Sequence, residues 1–187
     1  DMGYHAAINA IKNANLSAQD IDLIIVATTS QDYPGFPSVA CLLQDRLGLR
    51  NVGAFDLAAA CSGFNMGLTT ATQYVQTGLY KNVLVVASDC LSRFVDKTDR
   101  SICVLFGDGA AAVVVSEVEK GYGVVSSSLG ADGSQGDILK INSGGSKYPI
   151  SESSLQSNSH CIHMEGRSVF KVAVNSVLNQ IDDDLTK

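Results

Sequence analysis

With 187 residues, 45% of them apolar, and 17 glycines, the chain is long enough to close a core and has the composition of a globular α/β protein. A net charge of −6 argues against a nucleic-acid surface, while leaving room for a small basic patch that meets an acidic partner. The five cysteines include no CxxC pair, which argues against a disulfide framework and fits a reducing cytoplasm. No stretch resembles a signal peptide, and no apolar run is long enough to span a membrane.

In chain order, the apolar spacing of Met2, Ala6, Ile8, Ala10 and Ile11 predicts a helix over residues 2–14. The near-continuous run Leu23-Ile24-Ile25-Val26-Ala27 predicts a strand of a parallel sheet covered on both faces. Residues 31–35 carry turn chemistry, Pro37 suits a first helical position, and Val39, Leu42, Leu43 and Leu47 carry a helix to Gly48. Gly53-Ala54-Phe55 with Leu57 predicts a second strand. Small residues Ala58, Ala59 and Ala60 then lead to Cys61, and Phe64, Leu68, Ala71, Val75 and Leu79 recur with the helical period.

Val83 to Ala87 predicts another buried strand, followed by a charged stretch to Arg100. Strands are expected at residues 103–106 and 111–115 on either side of Gly107-Asp108-Gly109, and a further one at 122–126. Residues 130–160 are polar and rich in Gly, Ser and Asn, a long loop of the functional or mobile kind. Met164, Val169, Phe170, Val172, Val174, Val177, Leu178 and Ile181 predict a closing helix. Strands alternating with helices, then strands joined by turns, imply a layered α/β domain with a mixed sheet.

Cys61 is expected at the first turn of a buried helix, where unpaired amides and the positive dipole end favour thiolate, the nucleophilic form. A cysteine among alanines is most often a small buried apolar residue, and that is the competing reading. Gly107-Asp108-Gly109-Ala110 leads into a β pattern rather than a helix. It is therefore a tight turn with positive φ and not a dinucleotide fingerprint. His160, Cys161 and His163 lie close together but match no zinc template, so no metal is expected. Ser62 stands in Ala-Cys-Ser-Gly, not in G-x-S-x-G.

The segment Phe55-Asp56-Leu57-Ala58-Ala59-Ala60-Cys61-Ser62-Gly63-Phe64 resembles the nucleophile segment of β-ketoacyl-acyl-carrier-protein synthase III, a thiolase-like condensing enzyme. The likeness recurs in order at Ala27-Thr28-Thr29-Ser30, Phe36-Pro37-Ser38, Leu91-Ser92-Arg93, Asp99-Arg100, Phe106-Gly107-Asp108-Gly109-Ala110 and Val169-Phe170-Lys171-Val172-Ala173-Val174. The resemblance implies an α/β, thiolase-like layered fold: a mixed sheet with a buried nucleophile helix. It implies the first half only, lacking its opening strand. Residues 1–163, including the 130–160 loop, would form that half, and 164–187 the helix leading into the second. Both chain ends read as mid-helix and are expected to be cuts in a longer chain.

By resemblance, Cys61 takes an acyl group from acyl-CoA, and malonyl-acyl carrier protein then condenses with the thioester to start fatty-acid biosynthesis. Arg100 matches a coenzyme A contact, and the loop at residues 107–109 lies near the nucleophile. Phe36, Leu91, Phe106 and Met164 match the acyl pocket, Gly166 and Phe170 match the pantetheine path, and Lys171 faces the carrier protein. For these positions ordinary packing or solvation is the competing reading. Phe36 would reach the neighbouring subunit of a homodimer. No cofactor is implied, since acyl-CoA is a substrate, and neither nucleic acid nor membrane is an expected partner. None of His5, His160 and His163 stands in the family's motif for the decarboxylation histidine, so the second step is expected to need residues absent here. A related coenzyme A or polyketide condensing enzyme, and a non-catalytic thiolase-like binding or dimerisation module, are the alternatives.

Overall fold

The computed structural model describes residues 1–185. Two compact units emerge, one from Asp1–Cys90 with Asp108–Ser127, the other from Leu91–Gly107 with the residues from Ser128 on.

The first unit is built on a four-stranded sheet of order β2-β1-β3-β4. Strand β1 is Leu23–Ala27, β2 Gly53–Leu57, β3 Asn82–Cys90 and β4 Asp108–Ser116. The first three are parallel and β4 runs antiparallel to β3, so the sheet is mixed as expected. All five residues of β1 are buried, which explains its lack of polar alternation. Alternate residues face opposite ways. Ile24, Val26, Leu84 and Val86 pack with Ala7, Ala10 and Ile11 of helix α1 (Met2–Asn13) and with Ala40 and Leu43 of α2 (Val39–Arg46). Leu23, Ile25, Val83 and Val85 pack on the other face with Ala71 of α3 (Gly63–Gln76). Each fully buried branched residue contributes about 1.5–3 kcal/mol, so this two-faced core dominates the unit's stability. The chain's own helices thus supply cover on both faces of the two central strands.

Two close approaches set how low α3 lies on the sheet. A β-carbon at Gly67 would stand 3.1 Å from Cγ1 of Val85, and one at Gly63 3.0 Å from the Ala27 methyl. Larger residues would lift the helix away.

The second unit is more open. Strand β5 (Leu139–Ile141) pairs antiparallel with β6 (Ile162–Met164), α4 is Glu152–Gln156, and α5 is Gly166–Leu185. The polar stretch 130–160 is therefore not one loop, since it holds β5 and α4. A capping box joins Ser151 and Ser154 at the start of α4.

Several sequence expectations are corrected. Residues 103–106 form no strand: Asp99 Oδ1 accepts the Ser101 amide, and the Asp99 carbonyl accepts the Ile102 and Cys103 amides, curling the chain into turns. Asp108 and Gly109 open β4 instead of forming a turn, and neither Gly107 nor Gly109 has positive φ. The antiparallel neighbour of β4 is β3. Residues 122–126 form no strand either; Val125 is 96% exposed, with no ladder to join among the described residues. Pro37 precedes the helix, because Ser38 is its N-cap. Met164 ends β6, and the closing helix starts at Gly166.

Candidate acyl-transfer site

Three parallel strands bring their C-terminal ends to one edge, the place where open α/β sheets bind ligands. After β2 the chain makes a single 3-10 turn, Ala60–Ser62, that runs directly into α3. Cys61 is the middle residue of this turn and is exposed. It therefore lies one residue ahead of the helix cap Ser62, not in the first turn of a buried helix. It is also not the small packed residue of the competing reading. Ala60 takes φ +45°, a left-handed conformation that alanine adopts at a cost of about 1–2 kcal/mol. That reversal, closed by the Ser62 amide on the Ala59 carbonyl at 3.1 Å, turns the chain from strand to helix and leaves the thiol outside.

Next to it, the segment after β1 is held to the end of β3. Oδ1 of Asp89 accepts the Thr29 amide at 2.8 Å, the Thr29 hydroxyl at 2.9 Å, the Ser30 hydroxyl at 2.9 Å and the Thr28 hydroxyl at 3.3 Å. The Ser30 hydroxyl oxygen in turn accepts the Cys90 amide at 2.8 Å. On the other flank, Asp56 of β2 accepts the Val39 amide on Oδ2 and the Ala40 amide on Oδ1, each at 2.8 Å. Neither Asp56 nor Asp89 is among the residues singled out by sequence; the only local signal of each is an acid inside or near the end of an otherwise apolar strand.

The remaining candidate residues divide between the units. Phe36 belongs with Cys61 in the first unit and is 86% exposed on the loop before α2. Leu91 begins a 3-10 turn of the second unit and is half-buried, as is Phe106. Arg100 is exposed inside the Asp99–Ser101 turn, which directly follows the Asp96–Thr98 turn. Met164 closes β6, while Gly166, Phe170 and Lys171 occupy the first turns of α5, where Phe170 is 71% exposed. Cys161 is buried; burial pushes its thiol upward, and the Asp96 carboxylate adds to the effect. Among the described residues no group of three or more His, Cys, Asp or Glu side chains could hold a metal ion, and no helix is long and apolar enough to cross a membrane.

A thiol exposed at the strand-to-helix turn of a mixed, layered α/β sheet is placed as a nucleophile would be, an arrangement consistent with the thiolase-like fold. Comparison with known proteins makes the assignment specific. Residues 55–133 match the family 3-oxoacyl-[acyl-carrier-protein (ACP)] synthase III. A beta-ketoacyl-[acyl-carrier-protein] synthase III of Fusobacterium nucleatum is 47% identical over all 187 residues, which span 57% of that protein. One from Chlamydia pneumoniae is 51% identical over 174 residues, 92% of this chain and 52% of that protein. A crystal structure of a 3-oxoacyl-(acyl-carrier-protein) synthase III superposes with a TM-score of 0.90 at 30% identity, covering 98% of this chain and 57% of the other. That from Aquifex aeolicus gives 0.77 at 41% identity, covering 91% and 50%. Over nearly all of its length the chain is similar to β-ketoacyl-acyl-carrier-protein synthase III proteins, and it spans about half the length of the curated relatives it matches.

Proposed function

We propose that this chain carries the acyl-accepting part of a synthase that starts fatty-acid biosynthesis. The observation that carries the reading is the placement of Cys61: exposed, on a strained turn, at the ligand-binding edge of the sheet, within the segment that matches the synthase III family. The Cys61 thiolate attacks the thioester carbonyl of an acyl-CoA. The acyl–sulfur bond to coenzyme A breaks, coenzyme A leaves as a thiolate, and the acyl group stays on Cys61 as a new thioester. Malonyl-acyl carrier protein then loses carbon dioxide, the carbanion attacks that thioester, and Cys61 is released. Splitting the reaction in this way replaces one difficult step with two easier ones.

Arg100 fits a contact to the phosphates of coenzyme A, since it is exposed and free of ion pairs among the described residues. Leu91, Phe106 and Met164 fit the acyl pocket, Gly166 and Phe170 the pantetheine path, and Lys171 the carrier protein. A large aromatic such as Phe36, held out on an exposed loop, suits a surface that a second copy covers. Five free thiols suit a reducing, cytoplasmic setting.

The test is intact-mass analysis of the whole protein after mixing with acetyl-CoA, with Cys61→Ser as control. One acetyl group per chain, mapped to Cys61 and lost in the control, is expected. A protein that stays unmodified, or an adduct that survives Cys61→Ser, overturns the reading.

A further inference from the structure

Where β5 ends and the chain later returns to β6, the second unit holds a cleft of about 420 Å³, a size that suits a small molecule. None of the residues matched to the acyl pocket, the pantetheine path, coenzyme A or the carrier protein lines it. Ser143 does, and its side chain is buried while its hydroxyl finds no hydrogen-bond partner among the described residues. A buried hydroxyl left unpaired is uncommon and costs its full desolvation, so it calls for a partner. The backbone beside it is fixed: the Ser143 amide donates to the Ser159 carbonyl at 3.0 Å, and the Gly144 amide to the Tyr148 carbonyl at 2.7 Å.

Two further polar groups line the same space. Arg93 comes from the 3-10 turn Leu91–Phe94, is exposed, and takes part in none of the ion pairs among the described residues. The carboxylate three residues on, Asp96, is engaged by Thr98 and by the Asn158 side chain. His160 donates Nδ1–H to the Ser154 carbonyl at 3.4 Å, which leaves Nε2 without a partner among the described residues. The remaining walls are apolar, from Phe94, Ile141 and Ile150, and Gly144 and Gly145 keep one side bare of side chains.

We propose that this cleft binds a monoalkyl phosphate, its head on Arg93, Ser143 and His160 and its short chain against Phe94, Ile141 and Ile150. A guanidinium fork takes two terminal oxygens of such a head. The third accepts from the Ser143 hydroxyl and, in the monoanion, donates its proton to Nε2 of His160. A carboxylate has no third oxygen to offer. The proposal does not rest on the acyl-transfer reading.

Titration calorimetry of the full chain with butyl phosphate is the test, with inorganic phosphate and butyrate probing the tail and the head. Butyl phosphate is expected to bind about tenfold or more tighter than inorganic phosphate, which lacks the apolar chain. It should bind about fivefold or more tighter than butyrate. Arg93→Gln should weaken it about tenfold or more, and Arg93→Lys less, since the charge stays while the fork is lost. Ser143→Ala should weaken it about threefold or more, yet leave the unfolding midpoint of the free protein no lower, because it removes an unpaired buried hydroxyl. Butyl phosphate should also slow hydrogen exchange over residues 91–95 and 141–150.

No saturable binding, or binding that Arg93→Gln and Ser143→Ala both leave unchanged, overturns the site. Equal affinity for butyrate overturns the phosphate head, and equal affinity for inorganic phosphate overturns the apolar chain. A lower midpoint in Ser143→Ala shows the hydroxyl to be paired already and overturns its role. Competition from coenzyme A, or loss of binding in Arg100→Gln, puts the ligand on the coenzyme A path and overturns the proposal as well.

Discussion

Gly63, the first residue of α3, lies so close to Ala27 at the end of β1 that an added β-carbon would stand 3.0 Å from the Ala27 methyl. The methyl is short and its strand is buried, so neither can give way; the helix must move. Gly63→Ala is therefore expected to destabilise the protein by about 1–3 kcal/mol, the usual cost of overpacking. Because Cys61 is two residues upstream, acylation should slow as well. Urea unfolding and acetyl-adduct formation measure both, and a variant as stable and as fast as the parent would contradict the packing argument.

Ala60 supplies a second prediction. Its φ of +45° disfavours any side chain with a β-carbon, and a branched one most of all. Ala60→Gly removes that strain but gains unfolded-state freedom, so it should lie within about 1 kcal/mol of the parent. Ala60→Val should cost about 1–3 kcal/mol. Equal unfolding midpoints for the two variants would show that the left-handed turn is not formed.

Thiol labelling orders the five cysteines. Cys61 and Cys41 are exposed, but the Cys41 amide is already bound by Ser38 within α2, whereas Cys61 stands at the turn where the amides of α3 begin. Iodoacetamide at neutral pH should modify Cys61 first and Cys161 last. The Cys161 thiol is shifted upward by burial, so it keeps its proton to higher pH, and its labelling should rise only above the range of an ordinary cysteine. Uniform labelling in the folded protein would count against the assignment of Cys61.

The Asp96–Thr98 turn and the Asp99–Ser101 turn that contains Arg100 carry a pH dependence. The Thr98 hydroxyl, then the Thr98 amide, hold the Asp96 carboxyl below the usual aspartate range, and the hydroxyl and amide of Ser101 do the same for Asp99. With the folded value depressed, the contribution is fully present above the unfolded aspartate value and is lost as pH falls through the folded one. Carboxyl chemical shifts should show both groups titrating below an ordinary aspartate, and Thr98→Val should return Asp96 towards it. Ordinary titration of both in the parent would show these hydrogen bonds to be transient.

Strands β1 and β3, helices α1, α2 and α3, and the position of Cys61 between β2 and α3 were legible in the sequence. Their signals are local: unbroken apolar runs for strands buried on both faces, and a helical period for elements that cover them. Residues 103–106 and 122–126 carry the same β-favouring composition and form no strand. A strand exists only if another offers it a ladder, and ladder partners lie far along the chain. The tertiary structure alone decided the left-handed Ala60, which no alanine announces, and the two bonds from Asp56 to α2. It likewise decided the four donors gathered on Asp89, which join residues 59 to 61 positions apart. An aspartate in a strand reads as a solvated edge until the amides that it accepts are in place, and chain crossing, not local preference, brings them there.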